Sequence, residues 1–292
     1  MESARCKAFI ESVERGSFRA AAEALGYTPS AVSQLVAALE KELGLNLLVR
    51  SKKGVTITSE GEKLAPIVRS YLAREKEMYE LASEMQGISV GNLTIAAYPS
   101  VATTWLPEIV RTFQRDYPEV QFSIMEGIRD EIFKHLDDHV ADMGFMAYAE
   151  PMEYEWTPLA EEQIIAVIPE DHRLAGAEAY PVEECENDDF IMTSWGKDQE
   201  IKSIFRKNKV SPNVKYTTYD TPATLAMVRM GLGVTFANEL SAQYWNEHLI
   251  KLPLDPPEKV EFGIAYTSRE HMTAAAKKFY DYAVKYLTQQ EK

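Results

Sequence analysis

Only two cysteines, Cys6 and Cys185, occur in 292 residues, and neither belongs to a CxxC or Cys/His spacing. That excludes a disulfide-stapled scaffold and a zinc finger, and fits a reducing compartment. No run approaches the roughly 18 uninterrupted apolar residues of a membrane span. The opening MESARCKAFIESVERG is charged throughout, instead of basic and then apolar, so no secretory leader is read. The expected location is the cytoplasm, with no membrane partner. Positive charge is scarce as well: 31 Lys and Arg against 45 Asp and Glu leave a net of -14 at pH 7. No nucleophile elbow, phosphate-binding loop or paired-carboxylate motif is present, so no catalytic residue is assigned, no cofactor or metal is expected, and the chain is not read as an enzyme.

What is present is unevenly placed. Residues 1–90 carry 12 basic and 12 acidic side chains, so the whole negative excess lies beyond residue 90, and residues 1–58 have a local net of +2. A small basic module joined to a large acidic body suggests a nucleic-acid reader fused to something else. The length suits two domains, and 46% hydrophobic residues are ample for their cores.

In the first module Cys6, Phe9, Ile10 and Val13 have the spacing of one buried helical face, stopped by Gly16. Ser17 caps a second short helix that buries Ala20, Ala21, Ala24 and Leu25 and stops at Gly26. Thr28 and Pro29 open a third, which buries Val32, Leu35, Val36, Leu39 and Leu43 and ends at Gly44. This is a helix-turn-helix pattern, with Thr28, Ser30, Ser33 and Gln34 left exposed where a recognition helix meets bases and phosphates, and with Ser17 and Pro29 as further DNA contacts. Two β runs, Leu47 to Arg50 and Val55 to Thr58, flank Ser51-Lys52-Lys53-Gly54, a wing whose Arg50, Lys52 and Lys53 suit the phosphate backbone.

The stretch GSFRAAAEALGYTPSAVSQLVAALEKELGLNLLVRSKKGVTITSEG, residues 16–61, resembles the signature of the LysR-type transcriptional regulators. Gln34 stands where many members have arginine, and Leu48 where many have phenylalanine. The resemblance implies a winged helix-turn-helix that reads double-stranded DNA, a dimerising linker helix, and a tetramer on bent DNA; RNA polymerase is a further partner this reading admits.

Ser59-Glu60-Gly61-Glu62 reads as a capping box opening a long helix. Leu64, Val68, Tyr71, Glu75, Met78, Ala82 and Met85 form a heptad seam interrupted at Glu75, expected to pair with a second copy; the other reading is a helix lying on its own body. Residues 86–91 form the hinge.

Beyond it, β-rich runs alternate with helical ones: Leu93–Ala97, a helix from Thr103 to Tyr117, Val120–Glu126, a helix from Arg129 to His139, and Met143–Met146. A second set comprises Ile164–Ile168, Phe190–Met192, helix 197–209, Val214–Thr218, helix 221–230 and Val234–Ala237, and a last helix over 273–288 returns to the first lobe. The alternation predicts an α/β body with a largely parallel sheet, in two lobes instead of one long sheet. Trp105-Leu106-Pro107, Tyr117-Pro118-Glu119-Val120, Glu126-Gly127, Asp142, His172-Arg173-Leu174-Ala175 and Met230-Gly231-Leu232-Gly233-Val234 resemble the same family's effector domain. That implies a periplasmic-binding-protein-like architecture with a ligand cleft. Ala237-Asn238 departs from the Leu-Pro common there. The division is then 1–58 for DNA, 59–90 for linker and hinge, and 91–292 for effector, with lobe I at 91–163 and 267–292 and lobe II at 164–266.

Ligands in such folds sit beyond strand C-termini. Candidate contacts are Tyr98, Ser100, Thr103, Arg129, Tyr148, Thr193, Ser194, Trp195 and Tyr219, with Ser100, Thr103 and Arg129 set to greet an anionic effector and Tyr98, Trp195 and Tyr219 as an aromatic wall. The bland reading makes Ser100 and Thr103 helix caps and the aromatics core. His135 and His139 have the spacing of a metal pair on a helix but lack a third ligand, and a redox sensor needs a second thiol near Cys185. The resulting expectation is a sequence-specific DNA-binding regulator controlled by a small molecule. The alternative is a small-molecule sensor whose N-terminal helices contact proteins only.

Overall fold

A computed structural model describes residues 2–51, 54–85, 91–270 and 272–290. Three helices come first, α1 (Ser3–Arg15), α2 (Phe18–Leu25) and α3 (Pro29–Leu43), each closed by a glycine in the left-handed region. Ser17 accepts from the amides of Arg19 and Ala20, and Thr28 from that of Ala31, so both expected caps are formed. Phe9, Val32, Val36, Leu39 and Leu47 are fully buried among them. Two expected core positions differ: Ala22 is buried where Ala24 was expected, and Leu43 is exposed, because the last turn of α3 runs past its neighbours.

Strands β1 (Leu48–Ser51) and β2 (Gly54–Ile57) pair antiparallel as the wing. Gly54 has φ 127, and a Cβ there would lie 2.5 Å from the Gly16 carbonyl, which accepts from Val55 N at 2.8 Å. The wing is thus welded to the α1–α2 turn. Lys52 and Lys53 lie outside the described residues, as do hinge residues 86–90.

Helix α4 (Ser59–Met85) starts from a Thr58 cap, not the expected Ser59: Thr58 Oγ1 accepts from Gly61 N at 3.0 Å, while Ser59 Oγ donates to Glu60. Its expected seam divides. Leu64 and Val68 pack into the N-terminal core, and Glu75 binds Ser3 and Lys7 of α1. Tyr71, Met78 and Met85 remain exposed, in line with exposed Ile67 and Leu81 at heptad spacing.

The body contains β3 (Gly91–Ala97), α5 (Pro99–Thr103), α6 (Trp105–Asp116), β4 (Val120–Glu126), α7 (Arg129–Asp137), β5 (Met143–Ala147), β6 (Glu155–Pro169), β7 (Tyr180–Pro181), β8 (Phe190–Met192), α8 (Gln199–Asn208), β9 (Val214–Thr217), α9 (Thr221–Arg229), β10 (Thr235–Asn238), α10 (Glu239–Ala242), β11 (Leu249–Tyr266) and α11 (Ala274–Gln290). The single helix expected from Thr103 breaks at Thr104, whose hydroxyl turns back to the Ser100 carbonyl.

The main sheet has the order β10-β6-β11-β5-β3-β4, with β7 added to β11. It is mixed, which corrects the largely parallel expectation: β3 is parallel to β4 and β5, while β11 is antiparallel to β5 and β6, and β6 to β10. It also runs through both lobes, because β6 and β11 are 15 and 18 residues long and pair along their length. Helices α6 and α11 cover one face of lobe I around Phe113, Phe145 and Phe279, and α7 covers the other through Ile132 and Leu136. Gly144 permits that approach; a Cβ there would meet Ile132 Cγ2 at 2.6 Å.

Candidate functional site

Two surfaces gather the polar residues. On the first, Pro29, Ser30 and Gln34 are exposed on the opening turns of α3, beside Thr28. Ser33 is half-buried and accepts from Arg50 Nη1 at 2.9 Å. Arg50 also reaches Glu40 at 3.4 Å and lies 5.2 Å from the Phe18 ring centre, so the wing arginine is oriented by α2 and α3 together. Glu40 Oε1 accepts from the amides of Leu47 and Leu48 and fastens the loop between α3 and the wing. Sequence reasoning assigned nothing to Glu40, since an acid late in a helix gives no sign of capping a distant loop. Neither α2 nor α3 has an acidic residue in its first turn, so their positive ends face outward uncancelled.

The second surface is an open cleft between the lobes, about 1250 Å³ with the adjoining solvent space included. Tyr98, Ser100, Thr103, Arg129, Thr193, Ser194 and Tyr219 all line it. Two expected residues do not. Tyr148 bonds to Glu150 and packs on Trp156, because the chain turns away after β5. Trp195, with φ 51, is 61% exposed and touches the outer side of Tyr219 at 6.2 Å between ring centres. Ala237 and Asn238, the departure from the family pattern, do line the cleft, and Asn238 caps α10.

Two of the three groups expected to meet an anion are engaged elsewhere. Thr103 donates to the Pro99 and Ser100 carbonyls, and Arg129 to the carbonyls of Ala147, Ala149 and Pro151 while lying over the Phe133 ring. Acidic side chains that sequence reasoning passed over occupy the cleft instead. Asp198 caps α8 through Ile201 N at 3.1 Å and accepts from Thr193 at 2.9 Å. Glu200 accepts from the Tyr98 hydroxyl at 3.0 Å. Burial, with the Asp198 carboxylate beside it, holds the Glu200 carboxyl well above the usual range. Asp220 caps α9 through Ala223 N.

Among the described residues, three side-chain hydrogen bonds or ion pairs cross the cleft: Tyr98 to Glu200, Lys197 to Asp130 at 3.1 Å, and Tyr219 to Glu131 at 2.6 Å. The last pushes the Tyr219 phenol up to about 12, with burial adding to it. Asp130 and Glu131 open α7. At its other end, Asp138 caps α7 and pairs at 3.0 Å with Arg69 of α4, which also meets Glu14 of α1 at 3.3 Å. His139 lies beyond that cap at φ 52, so it shares no helical face with His135 and the metal-pair spacing is not realised.

Comparison with known proteins agrees with this architecture. The family described as "Bacterial regulatory helix-turn-helix protein, lysR family" matches residues 4–62, and "LysR substrate binding domain" matches residues 86–288. The uncharacterized HTH-type transcriptional regulator YvbU of Bacillus subtilis is 26% identical over 287 residues, covering 97% of this chain and 98% of that one. A hydrogen-peroxide-bound cysteine variant of Corynebacterium glutamicum OxyR superposes with a TM-score of 0.62 at 25% identity, covering 99% and 93% of the two chains. The effector binding domain of QuiR in complex with shikimate gives 0.64 at 21% identity, covering 69% of this chain and 99% of that one. With a DNA-reading module and a two-lobed ligand domain both matched, the chain belongs to the LysR family of transcriptional regulators.

Proposed function

We propose that this regulator acts in the cytoplasm as a dimer or tetramer, reads its operator through α3 and the wing, and is switched by a small molecule held between the lobes, without catalysis of its own. Residues 1–58 serve DNA, 59–90 join and dimerise, and 91–292 sense, with RNA polymerase as a further contact. The observation that carries the reading is the placement of α7. Its first turn holds two of the three cross-cleft contacts, and its cap holds Arg69 of the linker helix. Nine residues span about 13 Å, so a shift of lobe angle at the cleft moves the Asp138 end against α4 and α1. The exposed heptad stripe of α4 supports pairing with a second copy.

Peroxide sensing, suggested by the OxyR likeness, is not supported. Cys185 is fully buried, and burial, with Glu186 and Asp188 nearby, pushes its thiol up to about 12, the reverse of a reactive thiolate.

The test is a salt series of DNA binding by the full chain on the DNA upstream of its own gene and on a scrambled control. The reading predicts preference for the upstream DNA and steep weakening with salt. Ser33→Ala or Gln34→Ala should erode that preference more than general affinity. If neither DNA binds at low salt, the N-terminal module contacts proteins instead and the sensor alternative takes over.

A further inference from the structure

The cleft lies open between the lobes, and its lining determines which chemistry it accepts. Three helices of eight residues or more begin at it, α7, α8 and α9, and each start is already occupied by a carboxylate of this chain. Glu131 takes Ile128 N at 2.9 Å, Asp198 takes Ile201 N at 3.1 Å, and Asp220 takes Ala223 N at 2.9 Å. The partial positive charge that would draw a ligand anion is therefore cancelled from within. The two cationic side chains of the lining are engaged as well, Lys197 by Asp130 and Arg129 by three backbone carbonyls. Glu200 is different. It faces the cleft hydrogen-bonded to Asp198, receives the Tyr98 hydroxyl, and forms no ion pair with a cation among the described residues. The same lining also carries apolar side chains, Ile164, Ile201, Phe236, Val260 and Phe262.

We propose that the effector of this regulator is an organic amine, its cationic nitrogen seated on the Glu200 and Asp198 carboxylates beside Tyr98 and its apolar body against Ile164, Phe236 and Phe262. The inference rests on reading the cleft as the effector site. A cation supplies what Glu200 lacks, a charged donor in a partly dry site, where an unpaired carboxylate is costly. A carboxylate ligand of the shikimate kind would meet the Asp198 carboxylate and the Glu200 carboxyl, with neither cation of the lining unpaired.

The test uses the full chain and three probes with one body: benzylamine, benzyl alcohol and benzoate. Binding is followed by calorimetry and by the thermal midpoint. Benzylamine should bind more tightly than either twin. Glu200→Gln, which keeps shape and removes charge, should weaken benzylamine by about tenfold or more, the loss of one charge-assisted hydrogen bond, while leaving benzyl alcohol unchanged. Thr103→Trp, which fills the cleft from an exposed position, should abolish benzylamine binding. Benzoate equalling or exceeding benzylamine, or benzylamine binding Glu200→Gln undiminished, overturns the amine assignment while blockage by Thr103→Trp keeps the cleft reading intact. Benzylamine binding that survives Thr103→Trp lies outside the cleft and overturns both.

Discussion

The DNA-reading module and the ligand cleft are both built on helix N-termini, yet they finish them with opposite chemistry. In the module the caps are hydroxyls, Ser17 and Thr28, with no acid in the first turns of α2 and α3. In the cleft they are carboxylates, Glu131, Asp198 and Asp220, with Glu200 added in the first turn of α8. Either type satisfies the free amides, at about 1 kcal/mol per cap. Only the hydroxyl leaves the helix end positive, by roughly half an elementary charge. A chain of net charge -14 thus leaves the caps of one surface uncharged and puts carboxylate caps at the other. On the amine reading proposed above, cap identity, a local choice worth little in stability, selects the sign of the ligand.

The strongest expected effect is at the wing. Replacing Lys52 and Lys53 together by alanine should lower the slope of log affinity against log salt by about two, since each phosphate contact contributes roughly 0.9. An unchanged slope in the salt series would leave the cap chemistry without its phosphate partner and break the comparison.

Next comes the link between the two surfaces. Arg69→Ala removes the bridge from Asp138 to Glu14. A cleft ligand that alters operator affinity by a factor in the usual range of about 5–150 should lose most of that effect, while ligand binding itself persists. Fluorescence anisotropy with and without saturating ligand reads both quantities.

The smallest effect is electrostatic. Because Glu200 has a raised carboxyl pKa in the folded chain, the stability it contributes is full at pH below its ordinary value of 4.5 and is lost as pH rises through the folded value. The thermal midpoint of the wild type should therefore fall relative to Glu200→Gln as pH increases from acid toward neutral, and then run parallel to it. Parallel curves throughout would mean that Glu200 titrates as it does in the unfolded chain.

Legibility followed the range of the interactions. The helices of the first module were readable because Gly16, Gly26 and Gly44 and the caps Ser17 and Thr28 act within four residues of themselves. The long strand β11 escaped because Pro253, Pro256 and Pro257 interrupt its pattern; they fall at the register shift between Pro253 and Glu258, where the ladder with β6 is already broken. Seven of the nine candidate residues taken from the strand ends line the cleft. The partners of Arg129 and Thr103 were not legible, because they are backbone carbonyls that no side-chain pattern reveals. Asp198 and Asp220 are helix caps in the structure; that they meet in one cleft appears only when the lobes are folded together.

The most direct test of the account is the operator affinity of Thr28→Asp beside that of the wild type, measured across salt concentrations. Aspartate caps a helix at least as well as threonine, so thermal stability should be retained while the new charge cancels the positive end of α3. The account predicts a fall in affinity of about tenfold or more at low salt, shrinking as salt screens the repulsion. Undiminished affinity in a stably folded variant would contradict it, and cap chemistry would then not decide which charge each surface receives.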